Sequence, residues 1–256
     1  MRLVSPGFVF LQNTVDIQGF LDHQQIEWEI PKDAPFDQVL AEFAGRLCYE
    51  SWENTDNLNI TKTRKGNAEY IENIKKQGHG SVFEHGNLVF LFYNVSRIFT
   101  HELVRHRPGS AFSQTSGRYV RLRDLKFWIP DVIYNNLAAR SVFLEAIKQA
   151  EDNQKRLEEI FGMDPEVSNY DPNLNFDKKK ELTSAFRRIS FNGAANNILW
   201  STNHRALRHV IQMRCSPHAE EEIRVIFRRV ANLMVSKFPA IYGDLREDYT
   251  FEYPKI

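Results

Sequence analysis

The sequence predicts a helix-rich α+β fold on three observations: long stretches of helical periodicity, one compact aromatic strand run, and no regular alternation of strands with helices. Pro130 and Asp131 open the first helical stretch, its apolar positions are Ile133, Leu137, Leu144, Ile147, Leu157, Ile160 and Phe161, and Gly162 closes it. It reads as one long amphipathic helix or two in line. In the second stretch Ser216 and Pro217 pair as N-cap and first helical residue ahead of a run of glutamates. Ile223, Ile226, Phe227, Val230, Leu233, Met234 and Phe238 then make an apolar stripe that Pro239 ends. Asn203 to Cys215 is a third helical candidate, with Arg205 and His209 one turn apart on one face and Leu207, Val210, Ile211 and Arg214 on another. Between Arg97 and Val104, Ile98, Phe99 and Leu103 can anchor a shorter helix. The strand run is Asn87 to Val95, whose length and aromatic content suit a buried strand. Phe8 to Gln12 and Arg118 to Leu122 are weaker strand candidates. Gly162 to Lys180, with Pro165, Pro172 and several Asn and Asp residues, has the composition of a surface loop.

The 256 residues, 42% of them hydrophobic, suit a single domain over the whole chain. The 33 basic and 33 acidic side chains cancel, which argues against a general nucleic-acid or membrane-surface binder with a uniformly positive face. Cys48 and Cys215 lie far apart without CxxC spacing, so neither a disulfide scaffold nor a cysteine-rich metal site is expected, and a reducing cytoplasm fits. The opening MRLVSPGFVFLQ has no signal-peptide core, and no apolar run reaches the roughly 20 residues of a membrane span. His79 and His85 are close in sequence, but their spacing suits no common helical ligand pair and no cysteine is nearby, so no metal site is expected.

Charge that cancels overall is concentrated locally. Leu103 to Arg123 holds five arginines and four Ser/Thr hydroxyls with no lysine and no acid. Arginine favours planar, bidentate contact with phosphate, so the segment reads as the centre of a nucleotide site. Arg105, His106 and Arg107 are consecutive and fan around any backbone conformation, which places them to bridge two ligands or two subunits. Downstream, Ser110, Ser113, Thr115, Ser116, Gly117 and Arg118 make a phosphate cradle of hydroxyls, backbone donors and a fixed charge. A solvated basic loop is the alternative on composition alone. Neither GxGxxG nor GxxxxGK[ST] occurs, so any dinucleotide must be held without a Rossmann turn or P-loop. Arg214 interrupts an apolar stripe, and a buried guanidinium needs an anionic or carbonyl partner from the protein or from a ligand.

The RHR triplet followed by a Ser/Gln-containing loop ending in SGRY resembles the signature of the flavin-dependent thymidylate synthases. HGSVFEH, RIFTHELVRHR and NHRALRHVIQMRCSPHAEEEI resemble other parts of that family in the same order, over most of residues 40 to 240. The loop between Arg107 and Ser116 is one residue longer than the family's usual form, the addition falling in Pro108 to Ser113. The resemblance implies a family-specific fold with an antiparallel sheet, and a homotetramer with active sites between subunits. It implies a methyltransferase that converts the methylene of methylenetetrahydrofolate into the C5 methyl of dUMP, using FAD, with NADPH as reductant. By position in the motifs, Arg105, His106, Arg107, Cys48, His79, Ser81, Asn203, Arg205 and His209 would contact FAD, Arg105 reaching the nucleotide as well. Cys48 stands where the family often has a small hydroxyl residue. Glu102, Gln114, Thr115, Ser116, Gly117, Arg118, Arg187 and Arg214 would bind the pyrimidine nucleotide, with Arg214 facing the uracil ring as a fixed cation. Ser116 has no adjacent base and reads as a substrate ligand, and neither cysteine reads as a nucleophile.

Two other readings have their own signatures. A relative that methylates UMP would differ in one or two contacts to the 2′-hydroxyl, and the lengthened loop could supply them. An Arg-rich RNA-binding protein would carry no flavin, bind with steep salt dependence and stack bases on Phe112 and Tyr119.

Overall fold

The computed structural model describes residues 7–60, 62–117 and 126–256. In chain order the helices and strands are α1 (Thr14–Gln24), α2 (Phe36–Tyr49), α3 (Asn67–Lys76), β1 (Asn87–Ser96), α4 (Arg97–Leu103), β2 (Ser110–Gln114), α5 (Asp131–Tyr134), α6 (Leu137–Ile160), α7 (Phe176–Phe186), β3 (Ala195–Asn203), α8 (His204–Arg214), α9 (Glu221–Lys237) and α10 (Pro239–Tyr242). Helices dominate beside a small antiparallel sheet, in the order β1-β3-β2, so the class is α+β as the periodicities predict.

The chain forms two compact units, one of residues up to Leu88 with Thr202–Ala219 and Arg224–Ile256, the other of Val89–Ser201 with Glu220–Ile223. The polar stretch Gly162 to Lys180 is not where they part. It holds buried Met163 and Asp164, and α7 begins inside it.

In the first unit, Asn13 caps α1 through a reciprocal box with Asp16. Ile17 and Leu21 of that helix pack with Trp28, Val39, Phe43 and Trp52 into an aromatic-rich core. The expected late helices are present. Leu207, Val210 and Ile211 of α8 are buried, as are Ile223, Phe227, Val230 and Met234 along α9. The start of α9 differs from expectation: it begins at Glu221, and Glu220 Oε2 accepts from the amides of Glu222 at 2.9 Å and Ile223 at 3.3 Å. Ser216 Oγ instead accepts from His218 N at 3.3 Å, a local turn that competes with helix initiation. Phe8 to Gln12 is no strand, and its Phe8 and Phe10 are exposed.

In the second unit, β1 matches the expected strand but is buried on one face only. Phe92 is buried and Phe90 half-buried, whereas Val89, Leu91 and Tyr93 are exposed, because side chains alternate across a strand and only one face has a partner; Asn94, with a φ of 55°, breaks the alternation before buried Val95. Phe90 and Phe92 stack with Trp200 of β3, and Phe92 meets Phe99 of α4 at 5.1 Å between centroids. The helical stretch from Asp131 is two helices, α5 and α6, separated by Asn135 and the extended Asn136 that caps α6. Its buried residues are Ala150, Gln154 and Glu158, while Leu137, Leu144, Ile160 and Phe161 of the predicted stripe are exposed. The candidate strand Arg118 to Leu122 lies outside the described residues.

Candidate functional site

The residues singled out by sequence fall into two groups, one in each unit. In the first unit, α2 ends with Cys48 and Tyr49 exposed. Tyr49 turns to His79, its hydroxyl 3.1 Å from Nδ1 and the two rings stacked with centroids 5.6 Å apart. His79 leads into a tight helical turn, Gly80–Glu84, on which Ser81 is exposed. A Cβ on Gly80 would lie 3.0 Å from Arg205 Nε, so the missing side chain lets the guanidinium approach that turn. Arg205 also donates to the Glu84 carboxylate, with both side chains nearly half exposed. Asn203 caps α8, its Oδ1 accepting from Ala206 N at 2.8 Å. His209, one turn after Arg205, is exposed, and half-buried Arg214 is the last residue of the helix. His79, Ser81, Asn203 and Arg205 thus converge on one turn and one helix start.

In the second unit, Ser96 caps α4, its Oγ accepting from Phe99 N at 3.0 Å. The buried Glu222 carboxylate accepts in turn from both the amide and the hydroxyl of Ser96, and burial raises its pKa. Half-buried Glu102 lies near the other end of α4. There the chain folds tightly: His106 N donates to Leu103 O at 3.1 Å, Arg107 N to Arg105 O at 3.1 Å, and Gly109 takes a φ of 64°. Arg105 and Arg107 emerge exposed on either side of half-buried His106, the fanned arrangement expected of consecutive residues. Gln114 is drawn back to α4, its Nε2 donating to Thr100 Oγ1 at 3.0 Å. Thr115 N donates to Asn197 O at 3.0 Å, which places the motif along β3. Gly117 is buried, and a Cβ on it would lie 3.6 Å from Arg187 Cδ. Ser116 is half-buried, whereas Arg118 lies outside the described residues.

These donors are guanidinium, imidazole, hydroxyl and carboxamide groups on rigid element ends, a set that fits anionic nucleotide ligands such as FAD and a pyrimidine nucleotide. Cys215 is buried and its pKa is pushed up to about 12 by that burial, which disfavours the reactive thiolate, whereas Cys48 is an exposed free cysteine. Among the described residues no group of three His, Cys, Asp or Glu side chains is arranged to hold a metal ion, and no helix is long and apolar enough to cross a membrane.

The family described as thymidylate synthase complementing protein matches residues 32–240, which contain every one of these positions. The chain belongs to that family. Among its relatives, the flavin-dependent thymidylate synthase of Corynebacterium efficiens is 33% identical over 228 residues, 89% of this chain and 86% of that protein. The enzyme of the same description from Corynebacterium diphtheriae is 32% identical over 238 residues, 91% and 90% of the two chains. That of Mycobacterium tuberculosis H37Rv is 33% identical over 225 residues, 88% and 85%.

Within this thymidylate synthase family member, several neighbours of the site were not legible one residue at a time. Glu84, the partner of Arg205, stands inside the HGSVFEH segment but carries no signal of its own. Tyr49, the partner of His79, follows Cys48 directly. Half-buried Asp37 and buried His204 and Arg208 are polar residues whose partners come from distant parts of the sequence.

Proposed function

We propose that this chain is a flavin-dependent thymidylate synthase that methylates C5 of dUMP to give dTMP, with methylenetetrahydrofolate as methylene donor, FAD as cofactor and NADPH as reductant. The observation that carries the reading is the tight turn after α4. It presents Arg105 and Arg107 just past the helix that carries Glu102 and whose Thr100 accepts from Gln114, while the same motif ends with Gly117 against Arg187. Bound FAD would supply the reducing equivalents that bring the transferred methylene to the level of a methyl group.

The chain's own residues bind, orient and stabilise. Arg105, His106 and Arg107, with Cys48, His79, Ser81, Asn203, Arg205 and His209, hold the flavin, Arg105 touching the nucleotide too. Glu102, Gln114, Thr115, Ser116, Gly117, Arg118 and Arg187 hold the nucleotide. Arg214 is the catalytic residue: as a fixed cation facing the uracil ring it favours loss of the N3 proton and stabilises the negative charge that develops. The chain acts as a single thymidylate synthase domain of the family's own fold, in the cytoplasm, as a homotetramer with active sites at subunit interfaces. In support, the family match runs through both units, and Val89, Leu91 and Tyr93 of β1 and Leu137, Val142 and Leu144 of α6 are exposed apolar side chains of the kind an assembly covers.

The test is a visible absorption spectrum of FAD-reconstituted protein during titration with dUMP and then UMP. Flavin bands that shift with dUMP are expected. A larger response to UMP would favour a ribonucleotide methylase, and a protein that takes up no FAD would remove the reading.

A further inference from the structure

Buried His204 and Tyr242 and half-buried Asp37 form a hydrogen-bonded chain within the first unit that none of the assigned ligand contacts uses. His204 Nε2 lies 2.9 Å from Asp37 Oδ2, and Nδ1 lies 3.0 Å from Tyr242 Oη. A carboxylate only accepts, so Nε2 carries a proton and donates it to Asp37, while Nδ1 pairs with the Tyr242 hydroxyl, which donates to it when the ring is neutral. Burial holds the Tyr242 phenol well above its usual pKa, so it stays protonated and able to donate.

The surroundings leave the imidazole one orientation. His204 is 1% exposed and meets Phe238 edge-to-face with centroids 4.8 Å apart. On another side stands Gly86, where a Cβ would lie 2.6 Å from His204 Cδ2 and 3.2 Å from Asp37 Cβ. Gly86 O also accepts from His204 N at 3.3 Å.

His204 is the first residue of α8 and sits between Asn203 and Arg205, the two residues at that helix start assigned to the flavin. Asn203 spends its side-chain oxygen on Ala206 N, and Arg205 reaches along Gly80 to Glu84, so both depend on where the helix begins. A long exposed side chain such as Arg205 loses less freedom on binding when its backbone is already fixed. We propose that His204, clamped between Asp37 and Tyr242, is a positioning residue that pre-sets Asn203 and Arg205 for the flavin. This rests on the flavin assignment above and adds to it a residue that touches neither cofactor nor substrate.

The experiment titrates FAD into the full-length apoprotein of wild type, Asp37→Ala, Asp37→Asn and Tyr242→Phe, and measures the dUMP KM of each at saturating FAD. Asp37 is the first choice because its side chain is 21% exposed, so its removal disturbs packing less than truncating His204. Asp37→Ala is expected to raise the FAD Kd about tenfold, the equivalent of one lost charge-assisted hydrogen bond, with the dUMP KM held within about twofold. Asp37→Asn keeps an oxygen that accepts from Nε2 and should restore most of the affinity, which a general loss of folded protein would not allow. Tyr242→Phe should weaken FAD in the same selective way, and it carries the test if Asp37→Ala does not fold. An unchanged FAD Kd in Asp37→Ala or Tyr242→Phe overturns the positioning role, as does failure of Asp37→Asn to recover while the dUMP KM rises in parallel. A wild-type protein that takes up no FAD overturns the functional assignment itself and this role with it, a failure distinguished by appearing before any substitution.

Discussion

Arg208 and Arg214 lie on the same helix and meet the problem of a half-apolar environment differently. Arg208 is 1% exposed and forks onto Asp244, with Nη1 to Oδ1 at 2.7 Å and Nη2 to Oδ2 at 2.8 Å, while its guanidinium lies over the Phe251 ring. Lys75 adds a second contact to Asp244 at 3.2 Å. Burial alone would raise the Asp244 pKa, but the hydrogen bonds and charges of Arg208 and Lys75 outweigh it and hold the carboxyl below its usual value. Its contribution to stability is therefore present above the unfolded Asp pKa of about 3.9 and is lost as pH falls through the folded value. Asp244→Asn, which leaves two buried cations short of a partner, should cost about 3–5 kcal/mol in urea denaturation and flatten the acid limb of the stability profile. An acid limb as steep as that of wild type would show that Asp244 does not carry it. Arg214 ends the helix half-buried and is assigned to the uracil ring. Arg214→Ala should abolish dTMP formation while the flavin spectrum remains, and turnover at the wild-type rate would remove its catalytic role. Gly86 makes the reciprocal point about space: Gly86→Ala drives a methyl into His204 and should cost about 1–3 kcal/mol of stability, read from the shift in the denaturation midpoint.

Elements were legible where a period and a local signal agreed. The apolar stripes of α8 and α9 and the aromatic run of β1 stand out because each buries a regular face. β3, ANNILWSTN, was not visible: Ile198, Trp200 and Thr202 alternate inward, but Asn and Ser residues around them hide the pattern. β2, SAFSQ, is too short and polar to show a period at all. Along α6 the stripe was legible and its environment was not, since the sequence cannot say which face finds a neighbour. The site divided in the same way. The arginine triplet and the late Arg helix could be found from composition, whereas the clamp of His204 joins residues 167 and 38 positions apart, and no local spacing announces it. The start of α9 turned on a choice between two capping residues. Ser216 matched the usual preference, yet Glu220 holds the first amides because Ser216 is engaged in its own turn. Glu220→Ala should cost about 1 kcal/mol in thermal or urea denaturation, and Ser216→Ala under half of that; the reverse order would restore the helix start at Ser216.

At the scale of the molecule, balanced charge and concentrated arginine point to a ligand small enough to be met by a few side chains, not to a polyanion. Both units contribute family-matched residues, which is why the assignment of function rests on the ordered set of motifs and not on any one of them. Sedimentation of the purified protein should give a tetramer of the 30.0 kDa chain, and a stable monomer at working concentration would contradict assembly across the exposed apolar faces. The most direct measurement is product analysis after incubating FAD-loaded protein with dUMP, methylenetetrahydrofolate and NADPH, with each component omitted in turn and UMP as the competing substrate. A flavin-dependent thymidylate synthase should form dTMP that depends on all three additions, with a higher kcat/KM for dUMP than for UMP. NADPH oxidation without dTMP, or preferential methylation of UMP, would contradict it.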